Sequence, residues 1–168
     1  MNRSFEAVGS AITSAGGIVN QFTGDGVMAL FGVGQGPTEG CRRALLAASA
    51  MLHSVAELTQ TLAEELPEPL RMGIGIHTGP AVVGWMGYAE TTYLTAVGDT
   101  VHVASRLEGL TKEYHCQLVL SEHVARRVGI DLTAYPRHEL TVRNRTEPLA
   151  IYVVEDVHRI AAVLAAGS

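Results

Sequence analysis

Three stretches of this chain combine residue type and spacing in ways that suit chemistry. Asp25 sits in Gly24-Asp25-Gly26 between two apolar runs, residues 18–22 and 27–31. An Asp-Gly pair between such runs suits a tight turn with positive φ, which predicts a hairpin with a carboxylate at its tip, within reach of a ligand. The plainer account is an aspartate that serves only its own turn through bonds to the backbone. His102 and Arg106 lie four apart, hence on one face if the segment is helical. A fixed guanidinium beside a polar neighbour can hold an anionic transition state, although two adjacent donors also describe an ordinary solvated face. Arg143 and Arg145 flank Asn144 just before the last apolar run, a small cationic site in a loop.

The elements that must position these groups are legible from periodicity. Phe5, Val8 and Ile12 recur at helical spacing, which predicts a helix over residues 2–14, ended by Gly16-Gly17 and leading into the hairpin. After a glycine-rich loop containing Pro37, a long helical pattern runs over 38–66. Leu45, Ala48, Leu52, Val55 and Leu62 form its buried stripe, Arg42, Arg43, His53 and Glu57 lie off it, and Pro67 and Pro69 close it. Residues 70–78 alternate, with Leu70, Met72, Ile74 and Ile76 on one face and Arg71, Gly73, Gly75 and His77 on the other. Two glycines on one face allow close approach by a backbone or a ligand, or simply tight packing.

Gly79-Pro80 turns the chain into a strand over 81–86 that carries the only tryptophan, Trp85. Facing outward, Trp85 and Met86 would make an apolar patch suited to a partner subunit; facing inward, they would cap the core. Residues 91–97 read as a further strand, and Asp99 fits the N-cap of a helix over 100–111 packed through Val103, Leu107 and Leu110. A short strand at 117–120, a short helix at 122–128, an irregular stretch over 131–146 and a β-branched, well-covered strand at 149–154 complete the reading. The tail from Arg159 reads as a helix or as the start of a following segment.

Composition narrows the class. With 168 residues, 47% hydrophobic and 17% charged, the chain can bury one core, and a single α/β domain is expected. A net charge of −5, with Lys112 as the only lysine and the arginines scattered, leaves no basic stripe for nucleic acid. No apolar run approaches ~18 residues and no signal pattern opens the chain, which predicts no membrane span and a cytoplasmic domain, or a soluble piece of something larger. Cys41 and Cys116 form no CxxC pair and the seven histidines show no ligand spacing, which fits buried thiols in a reducing compartment.

Taken together, GGIVNQFTGDGVMALFG at 16–32, GIGIHTGPAVVG at 73–84 and TAVGDTVHVASRLE at 95–108 resemble the catalytic domain of the class III adenylate and guanylate cyclases, in the family's order and at about its spacing. The resemblance runs from residue 1 to about 154. It implies an antiparallel-rich α/β (α+β) fold with a ferredoxin-like βαββαβ core flanked by helices, paired head to tail as a homodimer with sites at the interface. It implies conversion of ATP to 3′,5′-cyclic AMP and pyrophosphate, with GTP as the other candidate, through two Mg²⁺ or Mn²⁺ ions.

Residue by residue, Asp25 matches the second metal aspartate and Arg106 the arginine that the other subunit supplies to the phosphates. His102 stands where the family has an asparagine. Gln21 and Thr95 fall at the base-selecting positions, Thr95 compatible with adenine, and Arg145 takes roughly the place of a cationic residue that contacts the triphosphate. The family's first strand, with the first metal aspartate, has no counterpart ahead of residue 1, and Asp99, Asp131 and Asp156 fall in the wrong segments to replace it. Its lack predicts an unpaired edge or gap in the sheet. Residues 1–156 therefore read as an N-terminally short cyclase domain and 157–168 as a tail or the start of a linker. The departures also motivate a second reading: a catalytically impaired cyclase-homology domain that dimerises, senses nucleotide and regulates an attached output.

Overall fold

The computed structural model describes all residues except 1, 24, 25, 66, 68–70, 89, 90, 143–145, 156, 167 and 168, and only the backbone of 2–5, 21–23, 86–88, 91–95, 163, 165 and 166. The hydrophobic alternation of its strands builds three layers. The central sheet has the order β3 (Ile74–Ile76), β6 (Leu118–Ser121), β8 (Leu149–Val154), β7 (Arg137–Leu140), with β3 parallel to β6 and the other pairs antiparallel. In β6, Leu118 and Leu120 turn to one face and Val119 to the other.

On the first face they meet Leu45, Ala48 and Leu52 of helix α2 (Pro37–Thr61), Val124 of α4 (Glu122–Val128) and Val157, Ile160 and Leu164 of α5 (Val157–Ala166). On the second, Val119, Ile151 and Val153 pack on Val103, Leu107 and Leu110 of α3 (Asp99–Glu113). The C-terminal segment is thus a helix seated in the core beside α2.

Two further ladders stand apart from this sheet. Strands β1 (Ile18–Thr23) and β2 (Gly26–Leu30) form the expected hairpin, antiparallel, with a bulge where the register shifts between Val19 and Gln21. Its Val19, Val27 and Ala29 pack with Val8 and Ile12 of α1 (Asn2–Ser14) against Ala47 and Met51 of α2. Strands β4 (Val82–Tyr88) and β5 (Thr91–Val97) form the third ladder, also antiparallel. The antiparallel-rich α/β class read from the sequence is the one observed, and among the described residues no ladder joins β2 to β3.

Four local expectations need correcting. The long helix stops at Thr61 instead of 66, its last amide capped by the Leu58 carbonyl, and a turn fills 62–65. Of the described residues in the alternating run, 71–78, only Ile74–Ile76 joins a ladder, pairing with Leu118–Leu120 of β6. Gly98, at φ 138°, takes the cap position ahead of α3, and Asp99 lies in the first turn, where its charge suits the helix dipole. The stretch 131–146 contains β7, an edge strand on β8.

Candidate active site

Helix α3 is the element on which the site depends, and glycines set its distance from the sheet. A Cβ on Gly75 would lie 2.6 Å from the Ala104 carbonyl oxygen and 2.8 Å from the Leu107 carbonyl carbon, and would collide with the Glu108 nitrogen. Gly73 likewise lies against the Thr111 side chain. The glycine face of the alternating run is therefore explained by close approach of α3, its backbone at Gly75 in β3 and the Thr111 side chain at Gly73 just before it. At its N-terminal end α3 is tied down by Thr100, whose hydroxyl donates to the Pro80 carbonyl at 2.5 Å.

With Val103, Leu107 and Leu110 buried, the opposite face exposes His102 and Arg106, one turn apart as the spacing predicts. Arg106 is not loose: its Nη1 donates to the Thr141 carbonyl at 2.7 Å, fastening the segment after β7 to α3. Sequence reasoning missed this anchor, since a backbone carbonyl carries no residue-type signal. The guanidinium keeps further N–H donors for an anion.

The two base-selecting positions lie on neighbouring strands. Gln21 is on β1, in register with Met28, and Thr95 is on β5, in register with Gly84; β1 and β5 pack side by side. Asn20, at the bulge just before Gln21, is 6% exposed, and neither of its amide atoms is hydrogen-bonded among the described residues. Such an orphan costs about 1–3 kcal/mol. Asp25 and Arg145 fall outside the described residues, so the structure brings together the α3 pair and the two base-position strands and leaves the metal and triphosphate positions unplaced.

His102 borders a cavity of about 1750 Å³ whose walls include residues of α1, α2, α3, β2, β3 and β5. A smaller one, about 370 Å³, is lined by Thr78, Gly79, His123, Arg126 and Arg127; Arg126 is ion-paired with Glu122. Among the described residues no group of three His, Cys, Asp or Glu side chains could hold a metal ion. Both thiols have pKa values pushed up by burial, at Cys41 against the Thr78 hydroxyl and the Arg127 charge, so neither is poised as a thiolate. His53 is solvated and paired with Glu57 at 2.8 Å, as a surface position should be.

The β4–β5 hairpin presents apolar side chains to solvent. Trp85 is 73% exposed, which decides for the outward orientation; Met86 lies outside the described side chains. Val82 and Val97, directly opposite one another and therefore on one face, are 71% and 53% exposed, and Val83 shares the other face with Trp85. Among the described residues no helix is long and apolar enough to cross a membrane.

This arrangement of an α/β core with a short hairpin and an arginine-bearing helix after β5 is that of a nucleotidyl cyclase catalytic domain. The sequence profile of the adenylate and guanylate cyclase catalytic domain matches residues 8–156, and the chain belongs to that family. It is 36% identical over 163 residues to an adenylate cyclase of Anabaena cylindrica, a match covering 92% of this chain and 31% of that protein. It is 32% identical over 169 residues to adenylate cyclase 1 of Rhizobium meliloti (strain 1021), covering 100% of this chain and 25% of that one. The chain thus spans about a quarter to a third of the length of these relatives. Among solved structures, the guanylyl cyclase Cya2 superposes with a TM-score of 0.78 at 28% identity, over 91% of this chain and 77% of that one. A bacterial light-regulated adenylyl cyclase gives 0.65 at 27% identity, over 97% and 48%.

Proposed function

We propose that this domain converts ATP to 3′,5′-cyclic AMP and pyrophosphate at sites shared between two copies of the chain. The observation that carries the reading is the pair His102 and Arg106 on the exposed face of α3, with Arg106 oriented by the Thr141 carbonyl. A guanidinium held in that way is preorganised for negative charge that builds on a phosphate during in-line displacement. His102, one turn earlier on the same face, has an imidazole able to accept or donate one bond to the ribose. Gln21 and Thr95, on adjacent strands, meet the base edge; Thr95 favours adenine, and GTP is the competing substrate. Arg145 supplies positive charge to the triphosphate. Asp25 is the position to which family likeness assigns a divalent cation, Mg²⁺ or Mn²⁺.

Pairing of two copies fits this reading because α3 offers His102 and Arg106 outward, away from its own buried face. The apolar β4–β5 hairpin, exposed on both faces, supports pairing. The site has no part in nucleic-acid recognition, and the domain works in the cytoplasm. The unit is residues 1–156, followed by α5 (Val157–Ala166), which leans on α2.

Cyclic nucleotide formation from ATP and from GTP, with Mn²⁺ and then Mg²⁺, tests this reading. Cyclic AMP as the main product supports it, and turnover of neither nucleotide by a folded, nucleotide-binding chain overturns it in favour of a regulatory cyclase-homology domain.

A further inference from the structure

Basic side chains converge on one small hollow of a chain whose net charge is −5. The cavity of about 370 Å³ has one wall from α4, carrying His123, Arg126 and Arg127, and another from Thr78 and Gly79, just past β3. Through Val124, α4 packs on the face of the central sheet that α2 and α5 cover, whereas α3 lies on the other face. The basic wall is thus across the sheet from His102 and Arg106.

Partners within the chain account for the placing of two of these side chains and leave the third uncompensated. Arg126 is paired with Glu122, and that carboxylate also receives Arg137 Nε at 3.3 Å. His123 lies against the His77 ring, with centroids 5.6 Å apart, which holds it beside the loop after β3. Arg127 is exposed and has no carboxylate partner among the described residues. Its charge bears instead on the thiol of Cys41, as does the Thr78 hydroxyl, so the two walls meet over that buried sulfur. Burial keeps the thiol protonated, and it supplies no counter-charge. The last turn of a helix favours cations, which lets two arginines stand side by side there but neutralises neither.

We propose that this hollow is an oxyanion site for a phosphate group, either free phosphate or the phosphate of a small monoester. Arg127 offers its planar fork, Arg126 and His123 add N–H donors from the same helix, and the Thr78 hydroxyl stands on the opposite wall. A tetrahedral dianion has oxygens for donors on both walls, whereas a carboxylate is filled by one guanidinium fork. The volume falls at the lower end of small-molecule pockets and leaves room for a small organic group beside the phosphate. The inference does not depend on the nucleotide chemistry.

The test uses the 168-residue chain in phosphate-free buffer, with inorganic phosphate and glycerol 3-phosphate as probes and sodium chloride at matched ionic strength as the blank. Calorimetric titration and the thermal midpoint are the readouts. Phosphate at a hundredfold excess over its dissociation constant should raise the midpoint by roughly 5–10 °C. Arg127→Gln should weaken binding by about ten- to a hundredfold, with an anion-free midpoint within about 2 °C of the parent because the side chain is exposed. His123→Gln should weaken it by a smaller factor. Arg159→Gln, an equal change of charge at an exposed position on α5, should leave affinity within about twofold. Arg106→Ala should do the same, which separates this site from any phosphate held at α3. Tighter binding of glycerol 3-phosphate than of phosphate supports a monoester site, and equal or weaker binding supports a free-phosphate site. A shift that chloride reproduces, or that survives in Arg127→Gln, would overturn the proposal, as would loss of binding in Arg106→Ala but not in Arg127→Gln.

Discussion

Gly75→Ala should loosen the seating of α3 more than the added methyl group suggests. The new Cβ would meet three backbone atoms of the helix: the Ala104 carbonyl oxygen at 2.6 Å, the Leu107 carbonyl carbon at 2.8 Å, and the Glu108 nitrogen. No side chain can rotate out of the way, so α3 itself has to move. Overpacking costs typically 1–3 kcal/mol, and three backbone clashes place this change near the upper end, about 3 kcal/mol. In a domain of this length the thermal midpoint should then fall by roughly 6–12 °C. Gly84 in β4 supplies the control, because its Cβ would meet nothing within 4 Å; Gly84→Ala should stay within about 0.5 kcal/mol of the parent. Parallel thermal and urea unfolding of parent, Gly75→Ala and Gly84→Ala reads the difference. If Gly75→Ala melts within about 2 °C of the parent, the close approach that positions His102 and Arg106 is not real. Because α3 carries both residues, Gly75→Ala should also depress cyclase activity at a temperature where the variant remains folded.

Arg106→Ala removes one hydrogen bond from an exposed side chain, so stability should drop by under about 1.5 kcal/mol while cyclic nucleotide formation falls ~10²–10³-fold. Activity within tenfold of the parent would remove Arg106 from the site. Gly109→Ala, on α3 with open space around it, should stabilise by about 0.5–1 kcal/mol, seen as a midpoint raised by roughly 1–4 °C. Asn20→Val, which relieves an orphaned buried amide in a strand, should stabilise the chain by about 1–2 kcal/mol, and a midpoint below the parent's would show that Asn20 is paired.

The carboxyl of Asp131 is held below its ordinary range by the Thr133 backbone N–H and hydroxyl, which donate to its Oδ1 at 3.0 and 2.8 Å. A lowered folded-state pKa gives a contribution present above the unfolded value and lost as pH falls through the folded one. The urea-midpoint gap between parent and Asp131→Ala should therefore be full near neutrality and narrow below about pH 3.8.

Much of the scaffold was written in local pattern. The helical spacing of Phe5, Val8 and Ile12, the paired apolar runs around Gly24-Asp25-Gly26 and the β-branched run at 149–154 each announced an element found at those positions. β8 also proved an inner strand, between β6 and β7, as its composition implied. Strand β7 was not legible because Arg-His-Glu-Leu has neither β-branching nor a clean apolar phase; only Leu140 is buried, and the pairing is imposed by β8 from outside. Gly73 and Gly75, just before and within β3, could be flagged from their shared face, but whether a ligand or a helix filled the space required α3 to be in place.

The site divides in the same way. Spacing alone put His102 and Arg106 on one face of a helix, and the family's motifs picked out Gln21 and Thr95, whose strands pack together. The Thr141 carbonyl that orients Arg106 lies 35 residues further along the chain, and a contact of that kind leaves no trace in residue identity.

The measurement that bears most directly on the central claim is subunit complementation. Asp25→Ala and Arg106→Ala chains are purified separately, assayed with ATP and Mn²⁺ across a concentration series, then mixed in equal amounts. If sites are built from both copies, the parent's activity rises more steeply than concentration, each variant alone is nearly silent, and the mixture recovers up to about a quarter of parental activity, because each mixed dimer keeps one intact site. Parental activity strictly proportional to concentration, together with a mixture as silent as its components, would contradict a shared site.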